Sequence, residues 1–383
     1  MNERPGLNIL ELCLSPSLGG LELYVFRTAQ AMQGDNTIHA CISSSGKLLA
    51  RLQSLTDVKL LQLEHGYAYF PMLNARTLAR YIDDNAIDII HVHWGNDLPL
   101  AAFSKYFSAR KPAIVYTRQM QLTRHKNDPY HRFLYRQTDL MLTITHRLEK
   151  DAKRFIGDQQ TRIETLYYGV RAPERILEQE AIANLRAQHG IEAGCFVAGL
   201  VGRIEDGKGQ HLLIKAIARA KQAGQNMYAL IVGAEMEPGY RDTLIKLAKQ
   251  LEVENHITFL AFDPNPQLLM QICDCMVLAT YEETFGLVLP EAMRCGVAVI
   301  GSNRGGVVEI IDHGTTGLLF ESMDADSLYQ QLSRLYQDPA FRNRLAAAGR
   351  EKADTMFNHE AHYAKLAQLF QTLTATPGNL KTA

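Results

Sequence analysis

The chain has 383 residues, of which 46% are hydrophobic and 21% charged, and its formal net charge is −1. Length and composition fit a globular protein of two domains, and the near-zero charge supplies no overall field for nucleic acid or another polyanion. Cys13, Cys41, Cys195, Cys273, Cys275 and Cys295 are scattered, mostly in apolar runs without a Cys-x-x-Cys pair, which favours buried thiols in a reducing compartment over a disulfide frame or a zinc site.

The first residues, Met-Asn-Glu-Arg-Pro-Gly, contain no secretory apolar region, and no run approaches bilayer length, so a cytoplasmic protein is expected. Apolar runs at Asn8 to Leu14, Ile87 to Val92, Ala113 to Thr117 and Leu140 to Thr145 alternate with helical patterns. That rhythm predicts βαβ units and a parallel sheet. The first run leads into Ser15-Pro16-Ser17-Leu18-Gly19-Gly20-Leu21-Glu22 and a helix. Adjacent glycines let backbone approach a ligand at that helix start, although a Gly-Gly pair alone also fits an ordinary tight turn. Gly-x-Gly-x-x-Gly is absent, which weakens an oxidoreductase reading.

His91, His93 and Arg118 fall at expected strand ends. A His beside a parallel sheet is more often structural than catalytic, but His93 leads into the polar Trp94-Gly95-Asn96-Asp97 and is a candidate. Arg118, emerging from a central strand, needs a partner. From Lys105 to Arg154 there are twelve cations against four acids, a balance of +8 that leaves about −9 for the rest of the chain. With Tyr130, Phe133 and Tyr135 interleaved, Pro129 to Gln137 is a candidate element for an anionic membrane surface; a solvated basic helix face is the plainer alternative.

After Gly169-Val170-Arg171-Ala172-Pro173 the series restarts, with strands expected at Phe196 to Val201, Tyr228 to Val232, Ile257 to Phe259, Met276 to Leu278, Val297 to Ile300 and Leu318 to Phe320. The fold class is α/β, with two doubly wound Rossmann-like domains expected to face each other across a cleft. The expected boundaries are 1–170, 171–355 and a C-terminal helix at 356–383 that packs back on the first domain. Its tail from Thr376 to Asn379 is expected to fray.

Phe196 to Val201 runs into Gly202-Arg203-Ile204-Glu205-Asp206-Gly207-Lys208-Gly209. This is one residue from a P-loop, with Gly209 where the Mg²⁺-binding hydroxyl belongs. Arg203 and Lys208 could still stabilise a diphosphate directly. The segment from Tyr281 to Glu309 is the most informative. It reads Tyr-Glu-Glu-Thr-Phe-Gly-Leu-Val-Leu-Pro-Glu-Ala-Met-Arg-Cys-Gly, then ends in Arg-Gly-Gly-Val-Val-Glu. Two carboxylates, Glu283 and Glu291, flank a glycine turn and helix start, with Pro290 suited to the first turn and Gly296 to the stop. Carboxylates and amide donors together suit a ligand bearing hydroxyls and phosphates, such as a nucleotide sugar.

Taken together, Gly19-Gly20, Arg203 with Lys208, Glu283 to Glu291, Gly305-Gly306 and Glu309 resemble the retaining nucleotide-sugar glycosyltransferases of family 4, which have the GT-B fold. The resemblance covers nearly the whole chain. It implies that Glu283 contacts hydroxyls of a donor sugar and Glu291 those of the ribose. It also implies that Phe285, Gly286, Leu287 and Val288 bring amides to the diphosphate, with Gly19 and Gly20 closing on it. Arg203 and Lys208 would neutralise that diphosphate without a metal or other cofactor. Many members have a His where Arg118 stands. A guanidinium cannot act as a base, so the expected role of Arg118 is to bind a phosphate or acidic acceptor, with His93 or His125 left for any imidazole chemistry.

The reading is a hexose-type transfer from a nucleotide diphosphate sugar to a glycan or lipid-linked acceptor, in cell-envelope polysaccharide or lipopolysaccharide assembly, by a cytoplasmic enzyme peripheral to the membrane. An epimerase or phosphorylase of the same architecture, and a non-catalytic nucleotide-sugar-binding module, are the alternatives.

Overall fold

The computed structural model describes residues 6–64, 69–157 and 161–375; the tail expected to fray lies outside them. Strands covered on both faces require near-continuous apolar runs, and the chain supplies two such series. In the first, β1 (Asn8–Cys13), β2 (Thr37–Ser43), β3 (Val58–Leu63), β4 (Ile89–Val92), β5 (Ala113–Arg118), β6 (Leu140–Thr143) and β7 (Arg162–Thr165) pair in the order β3-β2-β1-β4-β5-β6-β7. Every pairing is parallel. Leu10, Leu12, Ile90, Val92, Ile114 and Met141 are among its core residues.

The second series comprises β8 (Phe196–Val201), β9 (Met227–Val232), β10 (Ile257–Leu260), β11 (Cys275–Leu278), β12 (Ala298–Ser302) and β13 (Leu318–Phe320). Their order is β10-β9-β8-β11-β12-β13, again all parallel. Both sheets are the doubly wound Rossmann-like arrangement that the alternation predicts. Three strands escape the sequence reading. β3 and β7 are edge strands with exposed positions, so they lack the continuous apolar run. β2 carries His39, fully buried and with Nδ1 2.8 Å from the Tyr81 hydroxyl, where an apolar residue would have made the run legible.

Residues up to Tyr167, together with the chain from Ala361, form one compact unit; Tyr168–Glu360 form the other. The His359–Ala375 helix buries Tyr363, Leu366, Leu369 and Phe370, and the Phe370 ring lies 5.3 Å from that of His91 in the first unit.

In sheets of this kind the strand order reverses at one point, where loops leaving the carboxyl ends diverge and open a crevice. The reversal falls between β1 and β4 in the first unit and between β8 and β11 in the second. Gly19, Arg203, Lys208, Glu283, Phe285 and Gly286 lie on the loops at these two points, Gly20 and Glu291 lie on the helices that follow them, and Arg118 ends β5.

Candidate functional site

In the second unit, Gly202 to Gly209 leads from β8 into the Gln210–Gln222 helix, and Ala279 to Leu287 leads from β11 into the Val288–Arg294 helix. Since β8 and β11 are hydrogen-bonded neighbours, their loops lie side by side. The Tyr281 amide donates to the Gly207 carbonyl at 3.2 Å, and Lys208 Nζ stands 3.1 Å from Glu283 Oε2. A Cβ at Gly209 would sit 2.2 Å from the Ala279 carbonyl oxygen. The glycine that replaces a P-loop hydroxyl is thus what admits the second loop.

Glu283 is braced from its other side. The Gly306 amide donates to the Glu283 carbonyl at 2.7 Å, and Gly305, with φ +67°, leaves no room for a Cβ, which would fall 2.0 Å from that oxygen. The backbone is fixed while the carboxylate faces Lys208. With side-chain exposures of 25% for Glu283 and 21% for Lys208, both remain reachable by a ligand. Arg203 is more exposed and pairs with Glu205 at 2.8 Å. Such an exposed pair is weak, so an incoming anion can take over Arg203.

Phe285 anchors the loop beneath these groups, its buried ring 5.2 Å from that of Tyr168 and 5.7 Å from that of Phe357. Gly286 follows, Leu287 is the N-cap, and Val288 opens the helix. Amides at that position have no intrahelical acceptor to reach. Half-buried Glu291 follows within the helix, and Gly296 stands just past its C-cap, Cys295.

In the first unit the loop after β1 is held by two buried carboxylates. Asp97 accepts from the Leu14 amide at 2.8 Å, while Glu22 accepts from the Gly19 amide at 2.7 Å and from the Ser15 hydroxyl. Burial pushes the Asp97 carboxyl up to about 7, against the lowering effect of the Leu14 amide. The Gly19 amide is therefore committed within the protein, and Gly20 begins the Gly20–Met32 helix. Glu22 has no role in the sequence reading, although its place three residues after Gly19 is the spacing of a capping box. Asp97 left no comparable signal.

His93 follows directly on β4, at the strand end, and leads into the polar loop, but its side chain is buried, 1% exposed. Residues two apart in a strand share a face, so His91 and His93 both turn toward Glu11, which is in register with His91. His93 Nε2 hydrogen-bonds to Glu11 Oε2, His91 Nδ1 lies 3.0 Å from the same oxygen, and His91 Nε2 is 2.7 Å from the Thr117 hydroxyl. Burial raises Glu11, but His91 and then His93 more than reverse this and hold it at about 2. Burial holds His93 down at about 4. The composition of this cluster suits a metal. Its donor atoms, however, contact one another directly, whereas ligands about 2.1 Å from one tetrahedral zinc stand roughly 3.4 Å apart. The geometry is that of a hydrogen-bonded polar core.

Arg118 braces its own loop. Its guanidinium donates through Nη1 to the Tyr116 hydroxyl at 2.7 Å, through Nε to the Met120 carbonyl at 2.6 Å and through Nη2 to the Gln121 carbonyl at 2.7 Å. His125 is exposed, with its ring 5.1 Å from that of Phe155.

The Glycosyltransferase Family 4 model matches residues 18–172, and the Glycosyl transferases group 1 model matches residues 181–352. The chain is 26% identical over 313 residues to the N-acetyl-alpha-D-glucosaminyl L-malate synthase of Bacillus anthracis, covering 80% of this chain and 79% of that enzyme. It is 32% identical over 171 residues to the D-inositol 3-phosphate glycosyltransferase of Pseudarthrobacter chlorophenolicus, covering 44% of this chain and 41% of that one. Anabaena HepE in complex with UDP has a similar fold, with a TM-score of 0.82 at 21% identity over 96% of this chain and 100% of that chain.

Proposed function

The chain belongs to the group 1, family 4 glycosyltransferases of the GT-B fold, and from that premise we propose that it moves a hexose-type sugar, with retention of configuration, from a nucleoside diphosphate sugar to an acidic glycan or lipid-linked acceptor. The observation that carries this reading is the Lys208–Glu283 contact, held by Gly305 and Gly306 at the point where the second sheet reverses. A cation and a carboxylate 3.1 Å apart, both reachable, match the two ends of such a donor at its scissile bond. Lys208 and Arg203 neutralise the diphosphate as it leaves, so no metal is called for. Glu283 accepts from sugar hydroxyls, Glu291 from the ribose, and the backbone from Phe285 to Val288 donates to phosphate oxygens. Retention follows if the acceptor hydroxyl attacks from the leaving-group side, where Lys208 already stands.

In the first unit, Glu22 and Asp97 hold the loop that leads to Gly20. His93 acts from the core by positioning β1 through Glu11, and Arg118 does so by shaping the loop at Gln119 to Gln121. The acceptor carries negative charge. The names of these two relatives contain anionic compounds, L-malate and inositol 3-phosphate, and residues 105–154 of this chain carry the +8 balance. A phosphate-bearing lipid-linked acceptor in cell-envelope or lipopolysaccharide assembly meets both conditions and brings the chain to the cytoplasmic face of a membrane. No described helix is long and apolar enough to cross one.

The reading is tested by incubating the chain in EDTA with UDP-, GDP- and ADP-sugars and a panel of acidic acceptors, with products followed by mass spectrometry and anomeric NMR. Transfer with the donor's anomeric configuration is expected. An epimerised donor without acceptor, sugar phosphate formed from free phosphate, or an inverted product would overturn it.

A further inference from the structure

The Met72–Asp84 helix buries Ala75, Leu78, Ala79 and Ile82 against the sheet, yet Leu73 at its first turn is 79% exposed. Tyr69 and Phe70, just before it, are 58% and 61% exposed, and Tyr106 on the Leu98–Phe107 helix is 58% exposed. These are not scattered single residues. The Phe70 ring is 5.2 Å from Tyr130 and 6.3 Å from Phe103, and Phe133 is 5.1 Å from Phe103 and 6.1 Å from Tyr106. Half-buried Phe103, Tyr130 and Phe133, on two helices, thus link the exposed Phe70, just before a third helix, to exposed Tyr106. Contiguous apolar surface of this kind marks a docking face.

Its rim is cationic. The Arg76 guanidinium lies 5.3 Å from the Phe107 ring and Lys111 Nζ lies 5.6 Å from the Tyr106 ring, while Arg132 and Arg136 are exposed on the Pro129–Gln137 helix. Glu64, whose carbonyl accepts from Asn74 at 3.0 Å, is an exposed acid at the Leu73 end of this face; others are engaged or distant. Asp83 accepts from Ser108, Ala109 and Arg110, and Asp128 caps the Pro129–Gln137 helix and pairs with His131. Asp84 stands at the far end of its helix from Leu73, about 16 Å along the axis at 1.5 Å per residue. Aromatic rings ringed by Arg and Lys are suited to the boundary between headgroups and acyl chains, where rings enter and cations meet lipid phosphate.

We propose that this face docks on an anionic phospholipid bilayer. It deepens the lipid-linked-acceptor reading and rests on that reading for its purpose, but the contact itself needs no acceptor. The helix His146–Ile156, although it carries four cations, is not the docking element. Arg147 and Lys150 are exposed there, and Leu148, Ala152 and Ile156 are all turned inward, which leaves that helix's outer face without an apolar anchor.

The test is flotation of the full chain with phosphatidylcholine vesicles and with vesicles of phosphatidylcholine and phosphatidylglycerol. Binding to the anionic vesicles, weakened by salt and about tenfold poorer on neutral ones, is expected. Phe70→Ser, Leu73→Ser and Tyr106→Ser combined should lower binding by about tenfold or more. Arg76→Gln and Lys111→Gln should each lower it about fivefold. Arg147→Gln with Lys150→Gln should leave it within about twofold. If the triple variant melts early, Leu73→Ser alone decides. Equal binding to neutral and anionic vesicles, an unaffected Leu73→Ser, or a wild-type dimer that this variant dissociates would overturn the proposal. Lost vesicle binding with intact transfer to a soluble acceptor refutes the docking face alone. Vesicle binding without transfer refutes the transferase reading alone.

Discussion

Gly305→Ala tests whether the brace behind Glu283 sets the site. Its new Cβ would lie 2.0 Å from the Glu283 carbonyl oxygen, where ordinary contact starts at 3.4 Å, so one segment must move by about 1.4 Å (3.4 − 2.0). An alanine at φ +67° adds left-handed strain of about 1–2 kcal/mol. Movement of roughly 1 Å at a reacting centre costs about 10²-fold in rate. Turnover should therefore fall about 100-fold, while the variant remains folded by urea denaturation. Gly314→Ala separates displacement from strain, because Gly314 also has positive φ, +80°, but nothing stands within 4 Å of its Cβ position. That control should lose stability by a similar 1–2 kcal/mol and keep its turnover. Gly305→Ala turning over within about threefold of wild type, or both variants losing activity equally, would refute the bracing role.

Lys208→Ala and Arg203→Ala should each lower kcat by about 10²- to 10³-fold, the scale for one preorganised charge-stabilising group, and unchanged rates in both would remove the diphosphate assignment. Glu291→Ala should weaken binding of free nucleoside diphosphate in calorimetry, whereas Glu283→Ala should bind it normally and lose turnover with the intact donor; the reverse pattern would exchange the two roles. Because His93 is held near 4 against an ordinary 6.5, the unfolded chain takes up a proton between these values and the folded chain does not. Stability should therefore fall with pH from 6.5 toward 4, by about 2 kcal/mol at pH 5. Glu11, lowered to about 2 from 4.5, gives a loss of the same sign as pH falls from 4.5 to 2. His93→Gln should lose the upper part of this slope, and urea midpoints at pH 7 and pH 5 that shift as in wild type would contradict it.

The two sheets were legible because their inner strands are apolar runs between helical patterns, as in Phe196–Val201 and Cys275–Leu278. Edge strands such as Arg162–Thr165 carried no such signal. Around Glu283 the glycines marked the position of the loop, since a Cβ at Gly305 or Gly306 would meet the carbonyl oxygen of Glu283 or Thr284. The role of the histidines was not marked in this way. His93 resembles a strand-end catalytic residue in one dimension, and only the register with β1 shows its ring turned onto Glu11. Arg118 is similar: its position could be read, but its three acceptors belong to a loop conformation that no local pattern specifies. Charge density was also an incomplete guide. Twelve cations marked residues 105–154, whereas exposed Leu73 and Phe70, which lie before that stretch, join it only through packing of three helices.

Whether the Lys208–Glu283 end of the second sheet grips a nucleoside diphosphate without a metal is tested by calorimetric titration of UDP, GDP and ADP into the chain in EDTA. One of them should bind, its monophosphate should bind at least about tenfold more weakly for want of the second phosphate, and Lys208→Ala should remove most of that difference. Binding that requires Mg²⁺, or a diphosphate and monophosphate that wild type and Lys208→Ala hold equally, would contradict it.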